Sequence, residues 1–143
     1  NWELLKLRKK KRAGGLLSGV PRSLPSMVKA FRVGEKAASV GFDWERREDV
    51  WAKVQEEIGE VQTEIDNKDH EALEGEFGDL FFALINASRL YGIDPEQALE
   101  RTNRKFIQRF GCIEKGAAEQ GRELGDLTLE EMEELWQAAK KCD

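Results

Sequence analysis

Residues 74–85 read EGEFGDLFFALI, which sets two acids, Glu76 and Asp79, at the threshold of one of the most apolar runs in the chain. An ionised carboxylate left unpaired in apolar surroundings costs several kcal/mol, so each acid must be solvated, protonated, paired with a cation or bound to a metal. The run carries no proline and is apolar almost all round from Leu80 onward. That pattern predicts a long helix from about Glu71 to Tyr91, central to the fold and stopped by Gly92.

Working outward, the preceding segment predicts a helix from about Arg47 to Asp66, on which Val50, Val54, Ile58, Val61 and Ile65 form one buried stripe and Glu57, Glu60 and Glu64 line the neighbouring face. A short break, NKDH, joins the two. Before them, Ser26 opens a helix with Met27, Ala30, Phe31, Ala37 and Ala38 on its apolar side, ended by VGFDW. After Gly92, Asp94 as cap, Pro95 at the first helical position and Gln97 three residues on start a helix reaching about Gly116, with Leu99, Phe106, Phe110 and Ile113 inward. A last helix opens at Thr128 with Glu131 as capping-box partner and docks through Leu129, Met132, Leu135 and Trp136. Five amphipathic helices with short connections make an all-α helical bundle.

The 143 residues suffice for one core, and a chain of this size buries roughly two-thirds of its unfolded surface. Residues 1–20 read as the end of a helix, a basic tract and a glycine hinge leading into a proline-punctuated segment, and residues 21–143 as the folded domain. The net charge of −5 is uneven: six basic residues and one acid fall in residues 1–12, leaving 17 basic against 27 acidic residues beyond them. So acidic a body is poorly suited to nucleic acid. No run approaches the ~20 apolar residues of a membrane span, and no signal-peptide pattern is present. Cys112 and Cys142 lie far apart without a CxxC spacing, which suits a reducing, cytoplasmic setting. His70, the sole histidine, has no Ser, Cys or Asp motif around it, and there is no phosphate-binding glycine loop.

Glu57 and Glu60 are three residues apart, as are Glu76 and Asp79, which places each pair about 60° apart around its helix and one turn along. Packed antiparallel, the two helices bring four carboxylates together. Hard oxygen ligands without His or Cys suit Mg²⁺, or Mn²⁺ as the alternative, and a metal so held presents a polyphosphate. The competing reading is a pair of solvated acidic faces, with Lys53–Glu57 and Glu100–Arg104 as surface ladders of a few tenths of a kcal/mol. Lys105 and Arg109, four apart in NRKFIQRF, share a face near Asn103.

Together EEIGEV (56–61), EFGDLFFALIN (76–86), DPEQALERTNRKFIQRF (94–110) and LTLEEMEELWQAAK (127–140) resemble the MazG-type nucleoside triphosphate pyrophosphohydrolases, and LLSGVPRSLPSMVKAFRVGEKAASVGFDW (16–44) is similar to the segment preceding the acidic motif in their C-terminal catalytic half. The resemblance implies an all-α homodimer that cleaves a nucleoside triphosphate between the α and β phosphates with Mg²⁺ as cofactor. It puts metal ligation on Glu57, Glu60, Glu76 and Asp79, catalytic roles on Glu56, Lys53, Lys105 and Arg109, and nucleotide contact on Trp136, with Asn103 a further nucleotide-contact candidate by its place beside Lys105. Gly75 departs from the family pattern, and it and Gly59 each cost about 1 kcal/mol of helix propensity. Two alternatives remain: a related all-α pyrophosphatase with another nucleotide substrate, and a non-catalytic helical interaction module that keeps a cation site.

Overall fold

A computed structural model of the chain describes residues 1–6 and 14–141. Cys142 and most of the basic tract lie outside the described residues. The helices are α1 (Ser26–Ser39), α2 (Val50–Asn67), α3 (His70–Leu90), α4 (Pro95–Glu119) and α5 (Leu129–Lys140), with single 3₁₀ turns at Leu16–Gly19, Arg47–Asp49 and Leu124–Asp126 and a helical stretch at residues 2–6. The predicted helices are all present, and no strand occurs among the described residues. Arg47 begins a 3₁₀ turn, with the α-helix starting only at Val50. The glycines beside the acids break neither α2 nor α3.

The chain divides into two units, Asn1–Glu96 and Gln97–Asp143. In the first, α2 and α3 form a helical hairpin and α1 packs on α3. The hairpin turns through Lys68, whose left-handed backbone (φ 56°) lets its N–H reach Ile65 O at 3.2 Å and the next N–H, of Asp69, reach Glu64 O at 3.4 Å. Asp69 then caps α3 by accepting from Ala72 N at 3.1 Å. Val50, Val54 and Val61 of α2 and Ala83, Ile85 and Ala87 of α3 are buried. Gly34 of α1 is also buried: a Cβ there would sit 2.6 Å from Asn86 Oδ1, so only glycine permits that approach.

Three expectations about burial are corrected. Ile58 is 37% and Ile65 52% exposed, because the stripe runs through Val50, Val54, Glu57 and Val61 instead. Leu99 and Phe106 are exposed, and so are Phe77, Phe81, Phe82 and Leu84 of α3. The apolar girth of α3 therefore exceeds what the described residues of its own unit cover.

In the second unit Ile113, Ala117 and Leu127 form a core, with Phe110, Leu124, Met132, Leu135 and Trp136 against it. The capping box of α5 is present as predicted, Thr128 N–H donating to Glu131 Oε1 at 3.0 Å and Glu131 N–H to Thr128 Oγ1 at 3.1 Å. The Arg122 guanidinium forks the same carboxylate and also donates to Asp126 O at 2.7 Å.

Two predictions follow from these local geometries. A lysine in the left-handed region costs roughly 1 kcal/mol that glycine does not, so Lys68→Gly is expected to raise the free energy of unfolding by up to about that amount in urea titration. Arg122 and the cap hold the Glu131 carboxyl down from 4.5 to about 2. A carboxyl depressed by folding stabilises above its unfolded value and loses that contribution as pH falls from 4.5 towards about 2. Thermal melts across this interval should show a smaller acid-induced drop in Arg122→Met than in the parent chain.

Candidate functional site

The hairpin sets the acids of α2 against those of α3. One carboxylate oxygen each from Glu57, Glu76 and Asp79 lies within 4.8 Å of the other two. Glu60 stands outside this group of three, although its charge is felt at Glu76. Burial pushes the Glu76 carboxyl up, and the charges of Asp79, Glu60, Glu57 and Glu64 push it further.

Glu57 is 6% exposed, far deeper than its place on a solvated face would give. The spacing 50–54–57–61 is the continuous four–three–four stripe of a packed helix, so the position is a core position occupied by an acid. Lys53, one turn earlier, meets it with Nζ 3.0 Å from Glu57 Oε1 and 3.3 Å from Glu56 Oε2. Hydrogen bonds to Glu57 and then Glu56 raise the Lys53 pKa. One ammonium cannot neutralise three converging carboxylates. An all-oxygen donor set with excess negative charge fits a hard divalent cation bound by Glu57, Glu76 and Asp79.

A cleft of about 500 Å³ opens beside these acids, lined by Lys53, Glu57 and Asp79 and also by Trp44, Asn86 and Arg89. Arg89 clamps Asp43 in two parallel bonds, Nη1 to Oδ2 at 2.9 Å and Nη2 to Oδ1 at 2.8 Å, which hold the Asp43 carboxyl below its usual range. Asp43 also accepts from Trp44 N–H at 3.0 Å, fixing the loop after α1 against α3. Asp43, Asn86 and Arg89 were not among the residues expected from the sequence. Asn86 carried a usable signal, since it is a polar residue inside the apolar run of α3, seven residues after Asp79 and hence on the same stripe.

The remaining candidates lie in the second unit. Asn103 and Lys105 are exposed on α4. Trp136 packs on the core of that unit, 5.2 Å from the Phe106 ring, with the Arg109 guanidinium 5.7 Å from its centroid. His70 is exposed at the first position of α3.

The family model for the MazG nucleotide pyrophosphohydrolase domain matches residues 46–111, a span that includes the whole acidic hairpin. This stretch of the chain is similar to that domain. It is 38% identical over 143 residues to the nucleoside triphosphate pyrophosphohydrolase/pyrophosphatase MazG of Thermotoga maritima, covering 99% of this chain and 55% of that protein. It is 41% identical over 144 residues to the nucleoside triphosphate pyrophosphohydrolase of Escherichia coli K12, covering 98% and 55%. It is 48% identical over 145 residues to the protein YabN of Bacillus subtilis, covering 100% and 30%. The chain thus spans about half the length of the two pyrophosphohydrolases it matches.

If Glu57 is an acid kept on a core stripe for the sake of a cation, Glu57→Leu should release strain. Burying the leucine contributes about 1.5–3 kcal/mol against a half-exposed ion pair worth about 0–1 kcal/mol. The expected outcome is a metal-free melting temperature equal to or above that of the parent, with the rise on adding Mg²⁺ lost. In the parent that rise corresponds to about 2.7 kcal/mol at a hundredfold excess over the dissociation constant. A variant that melts lower and still responds to Mg²⁺ would contradict this assignment.

Proposed function

We propose that the chain hydrolyses nucleoside triphosphates between the α and β phosphates, releasing the nucleoside monophosphate and pyrophosphate, with Mg²⁺ held by Glu57, Glu76 and Asp79 and with Glu60 beside them. The observation that carries this reading is the convergence of three carboxylates on the hairpin of a MazG segment. The names of the Thermotoga maritima and Escherichia coli relatives support the same reaction.

When bound, the cation supplies neutralisation of charge on the polyphosphate. The residues of the chain do the rest. Lys53, already drawn to the acids at 3.0 Å, offers its ammonium to phosphate oxygens. Glu56 lies exposed one residue away from Glu57, and its carboxylate orients the attacking water and accepts its proton. As the water oxygen bonds to phosphorus, the bridging P–O bond breaks and pyrophosphate departs. On the sequence resemblance alone, Lys105 and Arg109 are assigned to stabilising phosphate charge and Trp136 to contact with the nucleotide, and Asn103 joins Trp136 by its place beside Lys105 in the sequence.

The working form is proposed to be a homodimer. Phe77, Phe81 and Leu84 on α3 and Ile58 and Ile65 on α2 form apolar stripes that the first unit does not cover, and a second copy would bury them. Residues 21–143 are taken as the pyrophosphohydrolase domain and residues 1–20 as a basic linker ahead of it. A cytoplasmic setting suits the free, exposed Cys112 thiol. No helix among the described residues is long and apolar enough to cross a membrane.

Pyrophosphate release from ribo- and deoxyribonucleoside triphosphates, with Mg²⁺ and then with chelator, tests the activity. Turnover should need the metal, and Asp79→Asn should fall to the chelator baseline while its metal-free melting temperature stays within a few degrees of the parent. Undiminished turnover in Asp79→Asn would remove Asp79 from the ligand set; no release from the folded parent would overturn the activity.

A further inference from the structure

The cleft beside the acids has two ends. At one, Lys53, Glu57 and Asp79 gather charge; at the other stand Asn86 and Arg89. Asp79, Ala83 and Asn86 are spaced by four and three residues along α3 and so lie on one stripe of the helix. Asp79 and Asn86 are separated by about 10 Å along its axis. A nucleoside spans such a separation when its phosphates sit at the acids. Val33, Ala37, Phe42 and Phe82 make the walls between the ends apolar and in part aromatic, as a planar base requires. The volume falls within the roughly 300–1,000 Å³ of small-ligand sites.

The polar end is made of donors. Asn86 is 7% exposed, and its Oδ1 is held on one side by Arg89 Nη2 at 3.4 Å and on the other by the close approach of Gly34. A guanidinium donates only, so the amide atom facing it must be the oxygen. The Asn86 Nδ2 group is then left without a partner among the described residues. Arg89 Nε also lacks one, but it is closed off against Gly34 and offers nothing to a ligand, so the donor of this end is the Asn86 amide. Both oxygens of Asp43 are taken by Arg89 and balance no further donor here. A buried end that donates and does not accept rejects a ligand edge that itself only donates there, because two donors are then left unpaired.

Resting on the activity proposed above, we infer that Asn86 is a specificity-determining residue that reads the base: its amide donates to a keto oxygen, so bases with a carbonyl at the edge facing Asn86 (guanine, hypoxanthine, uracil, thymine) are preferred over those with an amino group there (adenine, cytosine). Gly34 and the Arg89–Asp43 pair are the positioning elements that turn the amide this way.

Inosine triphosphate and ATP isolate the contact, since they differ at the oxo or amino group of position 6 and the adjacent ring protonation. The measurement is kcat/KM for pyrophosphate release from each, with Mg²⁺, in the parent chain and in Asn86→Leu. The parent should favour inosine triphosphate by about tenfold, one hydrogen bond's worth. Asn86→Leu, similar in volume but without the amide, should bring the ratio close to one by slowing inosine triphosphate. Equal rates in the parent overturn the inference and leave the activity standing, as does a preference unchanged in a folded Asn86→Leu. Should that variant not fold, the comparison of the parent on uridine against cytidine triphosphate decides, a matching keto preference supporting the inference and none overturning it. If no nucleotide is hydrolysed, the activity itself fails. Calorimetry with the α,β-methylene analogues of inosine triphosphate and ATP then decides separately: tighter binding of the former supports the base contact, and equal or absent binding overturns it.

Discussion

Everything at the acidic site depends on the reversal between α2 and α3. Lys68 takes the left-handed conformation that ends α2, and Asp69 caps the helix that follows at once. With so short a connection the two helices have a fixed register. Glu57 lies eleven residues before Lys68 and Asp79 eleven after it. Both are therefore about 16 Å along the hairpin from the turn. Glu60 and Glu76 stand eight residues to either side, about 12 Å along. One inserted residue would rotate one arm by about 100° and slide it by about 1.5 Å, enough to part the carboxylates.

That register is held by apolar packing on either side of the acids, not by the acids themselves. Val50, Val54 and Val61 keep α2 on α3, and Glu57 sits among them on the same stripe. The packing forces Glu57, Glu76 and Asp79 into mutual repulsion that Lys53 relieves only in part, and the Glu76 carboxyl is pushed up first by burial and then by the charges around it. Such an arrangement is costly for an empty fold and favourable for one that binds a cation, the usual relation between stability and a functional site.

The fold was legible in the sequence because its signals are local: capping residues at Asp94 and Thr128, a proline at position 95, a glycine stop at 92, and runs of apolar residues between them. The acids were legible because paired carboxylates next to an apolar run demand an explanation. Burial was less so. Reading the α2 stripe through Ile58 treated Glu57 as surface on account of its charge, when the spacing put it inside. Phe77, Phe81, Leu84 and Phe106 are apolar without being buried by the described residues of their own units, a fact that periodicity cannot convey because it reports a face and not what covers it. The Asp43–Arg89 pair joins residues 46 positions apart and has no local pattern to announce it.

That pair shows how the fold connects the charged end of the cleft to its far end. Arg89 side-chain exposure is only 12%, so the guanidinium is held where desolvation would be costly without Asp43, and each partner fixes the other. Asp43 ties down the loop that carries Phe42 and Trp44, two walls of the cleft, while Arg89 orients Asn86 on the helix that also bears Glu76 and Asp79. A change in the loop after α1 thus reaches the polar end of the cleft through one ion pair, and the carboxylates through the rigidity of α3. Shape and charge in the cleft meet on α3, which bears Asp79, Phe82, Asn86 and Arg89, while α2 adds Lys53 and Glu57 and α1 with the loop after it adds Val33, Ala37, Phe42 and Trp44.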